Sequence, residues 1–553
     1  GGDWQAMVES LKRLAALDGE YTVYTGHNRS TTLSEERVRN RYLEKYPEES
    51  FKETPMILYI CGHDFHYEME NLCRVFFPNE KITVSDTLPE SGAPEVETYL
   101  DGASGGYSVR VRVNVGDKTE TRSAEVPKTD EPEKDECERT MARELFSALS
   151  AVTGYVPPWG ILTGVRPSKL MLKLIESLGE KGAYDYFTKK LLVSEPKARL
   201  AQSVAGTEQE IAALGDECSF SLYIAIPFCP SRCSYCSFVS HSITNANAAK
   251  LLPVYVDDLC RELEITGKIV RDIGLRLESI YIGGGTPGIL SAEQMEKVCS
   301  AVENSFDLSA VREYTVELGR PDTVTQEKLD VLRDHSVDRI SINTQTLNDS
   351  VLEAVGRKHT AADFFSSYAL AEKSGFENIN VDLIAGLPGD TLESFKKSVD
   401  GVVSLAPANI TVHALALKSA STLREHGHAV SEGETAGKMI DYSHSVLFDN
   451  GYIPYYMYRQ SRCVGNLENV GWCKPGTECR YNVFMMEETH TVLAAGAGAV
   501  TKLKKPGSNY IERIFNYKYP YEYNARFDTL MERKKRISEF YSEIFGSQSS
   551  ADK

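Results

Sequence analysis

From Ser221 onward the chain settles into a repeating pattern. Short apolar runs that read as strands, at 222–226, 279–282, 314–317, 339–342, 378–383 and 410–415, alternate with longer stretches whose apolar residues recur at helical spacing. Val256, Leu259, Cys260 and Leu263 mark one helical face. Met295, Val298, Cys299 and Val302 mark another, opened by the capping box Ser291-x-x-Gln294. Cys260 and Cys299 thus belong to packing faces rather than to a ligand set. An unbroken succession of strand–helix units predicts an α/β fold, a parallel sheet curled into a partial (β/α)6 barrel with its chemistry at the C-terminal strand ends.

The pattern differs on either side. Residues 1–55 read as a helix at 7–17, a strand at 21–24 and a loop. An apolar strand at 57–60, a helix at 67–77 and the alternating run Tyr107-Ser-Val-Arg-Val-Arg-Val-Asn-Val115 predict a small α+β domain with one wet sheet face. The charged run 128–138, with Pro127 and Pro132, reads as a solvated loop. A helix follows at 142–153, then the Gly/Pro-punctuated stretch Gly160-Ile-Leu-Thr-Gly-Val-Arg166-Pro-Ser-Lys169, then helix to about 214. Beyond Ser421 the barrel pattern stops, and a mainly helical region is expected, including a helix at 434–448. The divisions are therefore 1–55, an N-terminal α+β domain at 56–215, the barrel at 216–420 and a substrate-covering C-terminal region at 421–553.

A chain of 553 residues, 42% hydrophobic and 25% charged, is globular and too long for one ordinary domain. No apolar run is long enough to span a bilayer and no signal peptide opens the chain, so no membrane association is expected. Scattered cysteines suit a reducing compartment and a cytoplasmic location. A net charge of -18 argues against nucleic acid as a partner, and requires any anionic ligand to find a locally basic pocket. Arg320, Arg459 and Arg462 are the candidates for that pocket, because a guanidinium can hold a carboxylate with two hydrogen bonds. Arg166 and Lys169 read as a surface or helix-capping pair.

The densest chemistry lies in Ile226-Pro-Phe-Cys229-Pro-Ser-Arg-Cys233-Ser-Tyr-Cys236-Ser-Phe238. Thiolates at C-x3-C-x2-C can wrap three corners of an iron–sulfur cubane and leave one iron without a local protein ligand. A zinc knuckle or unrelated thiols are the other readings. Structural zinc usually takes four ligands in two pairs, and no second pair lies at a suitable distance. Cys463, Cys473 and Cys479 have gaps that fit no compact ligand loop, and read as ordinary thiols. Gly283-Gly284-Gly285-Thr286-Pro287 follows the second strand, where glycines allow close approach of a ligand to the backbone. Glu317, Gln345, Arg357 and Asp382 follow at later strand ends. Tyr452, Tyr455, Tyr456 and Tyr458 could lie along a macrocycle or form a buried strand.

The cysteine loop resembles the signature of the radical S-adenosylmethionine (SAM) enzymes. Residues 222–228, Leu-Tyr-Ile-Ala-Ile-Pro-Phe, are similar to the oxygen-independent coproporphyrinogen III dehydrogenase group. Tyr452-Ile-Pro-Tyr-Tyr-Met-Tyr-Arg459-Gln460, Gly465-Asn-Leu-Glu-Asn469 and Ala494-Ala-Gly-Ala-Gly-Ala-Val500 resemble the HemZ branch of that group, from about Met56 to the end. The resemblance implies a radical SAM barrel with a [4Fe–4S] cluster on Cys229, Cys233 and Cys236. It implies SAM contacts at Tyr223, Tyr235, Gly284, Gly285, Thr286, Glu317, Gln345, Arg357, Asp382, Ala416 and Val500. The implied reaction is anaerobic oxidative decarboxylation of coproporphyrinogen III to protoporphyrinogen IX in haem biosynthesis. A tetrapyrrole substrate and reduced flavodoxin or ferredoxin as electron donor come with it. No side-chain acid or base is needed for hydrogen abstraction, so none is assigned. The founding dehydrogenases carry a further cysteine where Phe238 stands here, as do not the HemW haem-chaperone branch, which also has Phe. Haem binding or delivery, or radical chemistry on another tetrapyrrole, are the alternatives. The stretch Thr25-Gly26-His27 resembles the C-terminal end of metallo-β-lactamase-fold hydrolases, whose main metal motif is missing, so no metal is expected at His27.

Overall fold

A computed structural model describes residues 22–23, 31–32 and 56–551, apart from 79, 89–93, 104, 129–132, 237, 239, 417–432 and 461–462. His27, Arg462 and the expected helix at 7–17 lie outside the described residues.

The central sheet has eleven strands. In chain order they are β1 (Ser219–Ile226), β2 (Arg276–Gly284), β3 (Glu313–Gly319), β4 (Arg339–Ile342), β5 (Asn378–Ala385), β6 (Asn409–Ala414), β7 (Ile453–Arg459), β8 (Glu468–Cys473), β9 (Thr491–Ala495), β10 (Val500–Lys504) and β11 (Ile511–Phe515). Their spatial order is β7-β8-β6-β5-β4-β3-β2-β1-β9-β10-β11. Strands β1 to β6 are neighbours in sequence order and all parallel, with Ile282 of β2 beside Ile224 of β1 and Val316 of β3. The connecting helices include α1 (Ala246–Ile273) after β1, α2 (Ala292–Ser305) after β2, α3 (Gln326–Asp334) after β3, α4 (Ala361–Lys373) after β4 and α5 (Leu392–Ser404) after β5. The Ser291/Gln294 capping box forms at the start of α2, and Cys260 and Cys299 are buried in the core.

One face of the parallel strands is apolar and meets the helices through Leu222, Ile224, Ile280, Val316, Ile340, Val381 and Val412. The other face is polar. Ser221 and Ser279 share a hydrogen bond at 2.7 Å, Cys479 Sγ donates to Glu313 at 3.2 Å, and Thr411 donates to Asn380 at 3.2 Å. A polar face can be buried because its groups satisfy one another and because a helix plugs it. That helix, α6 (Arg480–Glu487), presents its first backbone N–H groups to Glu313, with Arg480 N donating at 2.7 Å. The carboxylate stands where a helix N-terminus favours negative charge. Tyr481 stacks on Tyr281 and Tyr223, with ring centroids 4.6 and 6.1 Å away. Through it Tyr223 on β1 and Tyr456 on β7 join one buried cluster, which wraps the sheet around the plug.

The C-terminal region, expected to be mainly helical, also adds β7 to β11 to this sheet. Its strands are short and hold buried polar residues such as Glu468 and Asn469, so alternation alone does not reveal them. The N-terminal unit is a separate five-stranded sheet covered by the helices His66–Phe76 and Glu133–Thr153. The second of these helices begins inside the run expected to be a solvated loop; its early acidic residues suit a helix N-terminus. The core of this unit extends from Met56 to Val152, and the larger core begins at Trp159. The helices Pro167–Asp185 and Glu195–Ala212 therefore pack with the barrel, not with the domain expected to run to 215. Lys197, 2% exposed, donates to the buried Glu468 at 2.6 Å, and Trp159 Nε1 donates to the same carboxylate at 2.7 Å.

Candidate active site

The cysteine loop leaves the C-terminal end of β1 and is held by backbone pairing. Gly285 N donates to Ile226 O at 2.9 Å and Thr286 N to Phe228 O at 2.8 Å, while Ser234 N reaches Val355 O at 3.0 Å. Gly285 is required at this crossing, because a Cβ there would lie 2.5 Å from Phe228 O. The loop opens on a cavity of about 250 Å3 at the C-terminal strand ends.

The cavity brings together Cys229, Cys233, Cys236, Tyr235, Gly284, Gly285, Thr286, Glu317, Gln345, Arg357, Asp382 and Ala416. Tyr223 and Val500 are not in its lining. Tyr223 belongs to the aromatic floor beneath it, and Val500 opens β10, beyond β9 in the sheet. The motif resemblance around Val500 carried no information on its distance from the cavity, and the strand it opens was not expected.

The thiols present a donor set that fits a cluster. Thr286 Oγ1 donates to Cys229 Sγ at 3.4 Å, and the Arg357 guanidinium lies against Cys233. Burial raises the Cys229 thiol, and pushes that of Cys236 up to about 11, with the neighbouring thiols adding to both. Metal binding would draw them into the thiolate form. Among the described residues no three His, Cys, Asp or Glu close on a single metal ion. A cubane spreads its thiolates over separate irons and needs no common point. Cys463, Cys473 and Cys479 are buried apart, beside Ala414 O, Ile453 O and Glu313 respectively.

Glu317 is the most perturbed carboxyl in the cavity. Burial, with Asp382 nearby, pushes it up to about 8. Its only hydrogen bonds among the described residues are long, from Tyr281 and Asn343 at 3.4 Å each. Such a group can receive a ligand cation. Arg357, 8% exposed, donates to Asn343 O at 2.6 Å and Tyr235 OH at 3.2 Å. Gln345 adopts φ 71°, a left-handed conformation that a residue with a Cβ seldom takes. Its N–H donates to Asp382 O at 2.9 Å, which ties the two polar strand ends together. Asp382 itself accepts from Asn380 Nδ2 at 2.8 Å.

The arginines expected to meet an anionic substrate are otherwise engaged. Arg459 is buried under Trp159 and donates to Leu162 O at 2.5 Å, Gly164 O at 3.3 Å and Asn466 O at 3.1 Å. Arg320 lines the cavity but is held by Asp322 at 2.8 and 2.9 Å and by Ser231 at 2.6 Å. Of the tyrosines 452, 455, 456 and 458, only Tyr458 lines the cavity. Asn343, His413, Gln460 and Asn469 line it too, and sequence reasoning missed them. Each lies at or just beyond a strand end, and that position was the one signal that could have found them.

These features define a class: an α/β protein with a thiol loop and a polar cradle at the ends of parallel strands. A family model described as the radical SAM superfamily matches residues 223–401. HemZ of Bacillus subtilis, an "oxygen-independent coproporphyrinogen-III oxidase-like protein", is 37% identical over 72% of this chain and 81% of its own length. The haem chaperone HemW of Lactococcus lactis is 33% identical over 50% of this chain and 68% of its own. Coproporphyrinogen III oxidase (HemN) of Escherichia coli, a solved structure, shares 22% identity over 59% of this chain and 73% of its own, with a TM-score of 0.46. The chain belongs to the radical SAM superfamily, in the family of HemZ-like proteins. Members of the superfamily use a [4Fe–4S] cluster and SAM. The likeness of residues 1–55 to a metallo-β-lactamase tail finds no support in these matches.

Proposed function

We propose that the protein decarboxylates coproporphyrinogen III oxidatively, without oxygen, to protoporphyrinogen IX. The observation that carries this reading is one cavity that gathers three thiols, a glycine-lined backbone, a buried carboxyl and a buried guanidinium at the ends of the parallel strands. Cys229, Cys233 and Cys236 would hold the cluster. When bound, the cluster supplies the electron for reductive cleavage of SAM. Glu317 would take the SAM amino group, with Gly284, Gly285 and Thr286 allowing its close approach. Arg357 would take the SAM carboxylate, and Gln345 and Asp382 the ribose hydroxyls; Tyr235 and Ala416 complete the wall. The substrate would pass a hydrogen atom from the β-carbon of a propionate to the radical that SAM cleavage supplies, then lose CO2 and give one electron to an external one-electron acceptor, leaving a vinyl group, at two propionates in turn. The protein's part is to bind, orient and exclude water, so no acid or base is assigned. Reduced flavodoxin or ferredoxin would supply the electron, in the cytoplasm. No helix among the described residues is long and apolar enough to cross a membrane.

The second reading is haem carriage. The HemW relatives favour it, and so does Phe238, a side chain 63% exposed at the cavity lining where the founding dehydrogenases have cysteine. Anaerobic incubation with a reductant, SAM and coproporphyrinogen III separates the two. Vinyl product with matching 5′-deoxyadenosine is the expected result. Stoichiometric haem binding with no turnover would establish the carrier instead.

A further inference from the structure

We propose that His413 is a substrate-positioning residue whose imidazole receives a carboxylate of the tetrapyrrole. The inference rests on the tetrapyrrole reading above and adds to it a named group for the substrate's charge.

Three side chains in the described lining of the cavity can carry positive charge: Arg320, Arg357 and His413. Arg320 has its charge met by both oxygens of Asp322 and is fixed further by Ser231. Arg357 is clamped by Asn343 O and Tyr235 OH and lies against Cys233, on the side of the cavity that the cluster and SAM would occupy. His413 is different. It stands at the C-terminal end of β6, at the far end of the row of six parallel strands from the cysteine loop. Its side chain is 25% exposed and makes no hydrogen bond to another described residue. Its nearest charged neighbour is Asp382, with Nε2 3.8 Å from Oδ2, beyond hydrogen-bond reach.

The groups around it complete a receiving wall. Asn469 is committed to the backbone, accepting from Ala414 N at 3.1 Å and donating to Tyr458 O at 3.3 Å, and so holds the ends of β6 and β7 in register. Tyr458, Gln460, Leu415 and Ala416 lie in the same wall. A macrocycle resting there would meet apolar and aromatic surface, with His413 as the group able to form a charge-assisted hydrogen bond to one of its carboxylates. A chain of net charge -18 does not steer a polyanion into the cavity from a distance. Recognition must be local, and His413 is placed to provide it.

The test uses the full-length protein and two probes, coproporphyrin III and its tetramethyl ester, which share the macrocycle and differ in carboxylate charge. Binding is followed by the change in porphyrin absorbance. His413→Ala and His413→Gln are expected to weaken binding of the free acid by about tenfold, and His413→Arg to hold it within about threefold of the wild type. Affinity for the ester is expected to be the same in all four proteins. The glutamine variant, close to histidine in size, keeps the test open if the alanine variant misfolds. The proposal is overturned if His413→Gln binds the acid as tightly as the wild type, or if acid and ester weaken together, which would mean that His413 only packs. Failure of the wild type to bind coproporphyrin III would overturn the tetrapyrrole reading itself.

Discussion

At the scale of single residues, the cavity turns on charge states that burial sets. Glu317 has a folded-state pKa of about 8 against an ordinary value of 4.5. Between those values the native protein holds a proton that the unfolded chain has released. The resulting stability is fully present below about pH 4.5 and is lost as the pH rises through 8. Glu317→Gln should therefore raise the melting temperature of the ligand-free protein more at pH 9 than at pH 6, by about a few degrees. The same change should weaken SAM binding by roughly tenfold or more in equilibrium dialysis, through loss of a charge-assisted pair. The cysteines give a sharper contrast. Cys229→Ala, Cys233→Ala or Cys236→Ala should each abolish reconstituted cluster absorbance and SAM cleavage. Cys463→Ala and Cys479→Ala should leave iron near about four per chain, because those thiols lie apart in the core. A fall in iron in either of the last two would reveal a second cluster.

At the scale of elements, the strand–helix repeat was legible because parallel strands buried on one face by helices keep strongly apolar cores. The polar inner face was harder to read. Its Ser221, Glu313, Arg339 and Asn409 look like surface residues until α6 is seen to plug the sheet. Arg459 shows the same difficulty. A guanidinium near a cavity looks like a substrate clamp, yet it stitches β7 to the 162–164 loop by bonding backbone carbonyls. Arg459→Ala should leave those carbonyls unsatisfied and destabilise the larger unit by about 3 kcal/mol in denaturant titration. Amides around 160–165 should exchange faster, while the Michaelis constant for the tetrapyrrole stays at the wild-type value. A raised Michaelis constant with unchanged stability would restore Arg459 as a substrate ligand.

At the scale of the whole molecule, the two largest hydrophobic cores among the described residues are Met56 to Val152 and Trp159 onward. Separate cores predict separate unfolding. Calorimetry should resolve two transitions, and only the larger unit's should move when SAM is added to cluster-loaded protein. At a hundredfold excess over the dissociation constant, that shift corresponds to about 2.7 kcal/mol. A single transition displaced as a whole by SAM would mean that the two cores fold as one.

The sequence by itself determined the repeat of strands and helices, the cysteine loop and most of the polar groups at the strand ends. These follow from local spacing: a thiol triplet within one loop, or a charged residue closing an apolar strand, keeps its meaning wherever the chain goes. Only the tertiary structure decided which of those groups share one cavity, and which lie outside it, as Tyr223 and Val500 do. It also decided that the helices after Trp159 belong to the barrel, that Arg459 is structural, and that His413 and Asn343 face the cavity. The reason is physical. Whether a buried polar side chain is satisfied by its own fold or left for a ligand depends on partners far away in sequence, and spacing along the chain carries no record of them.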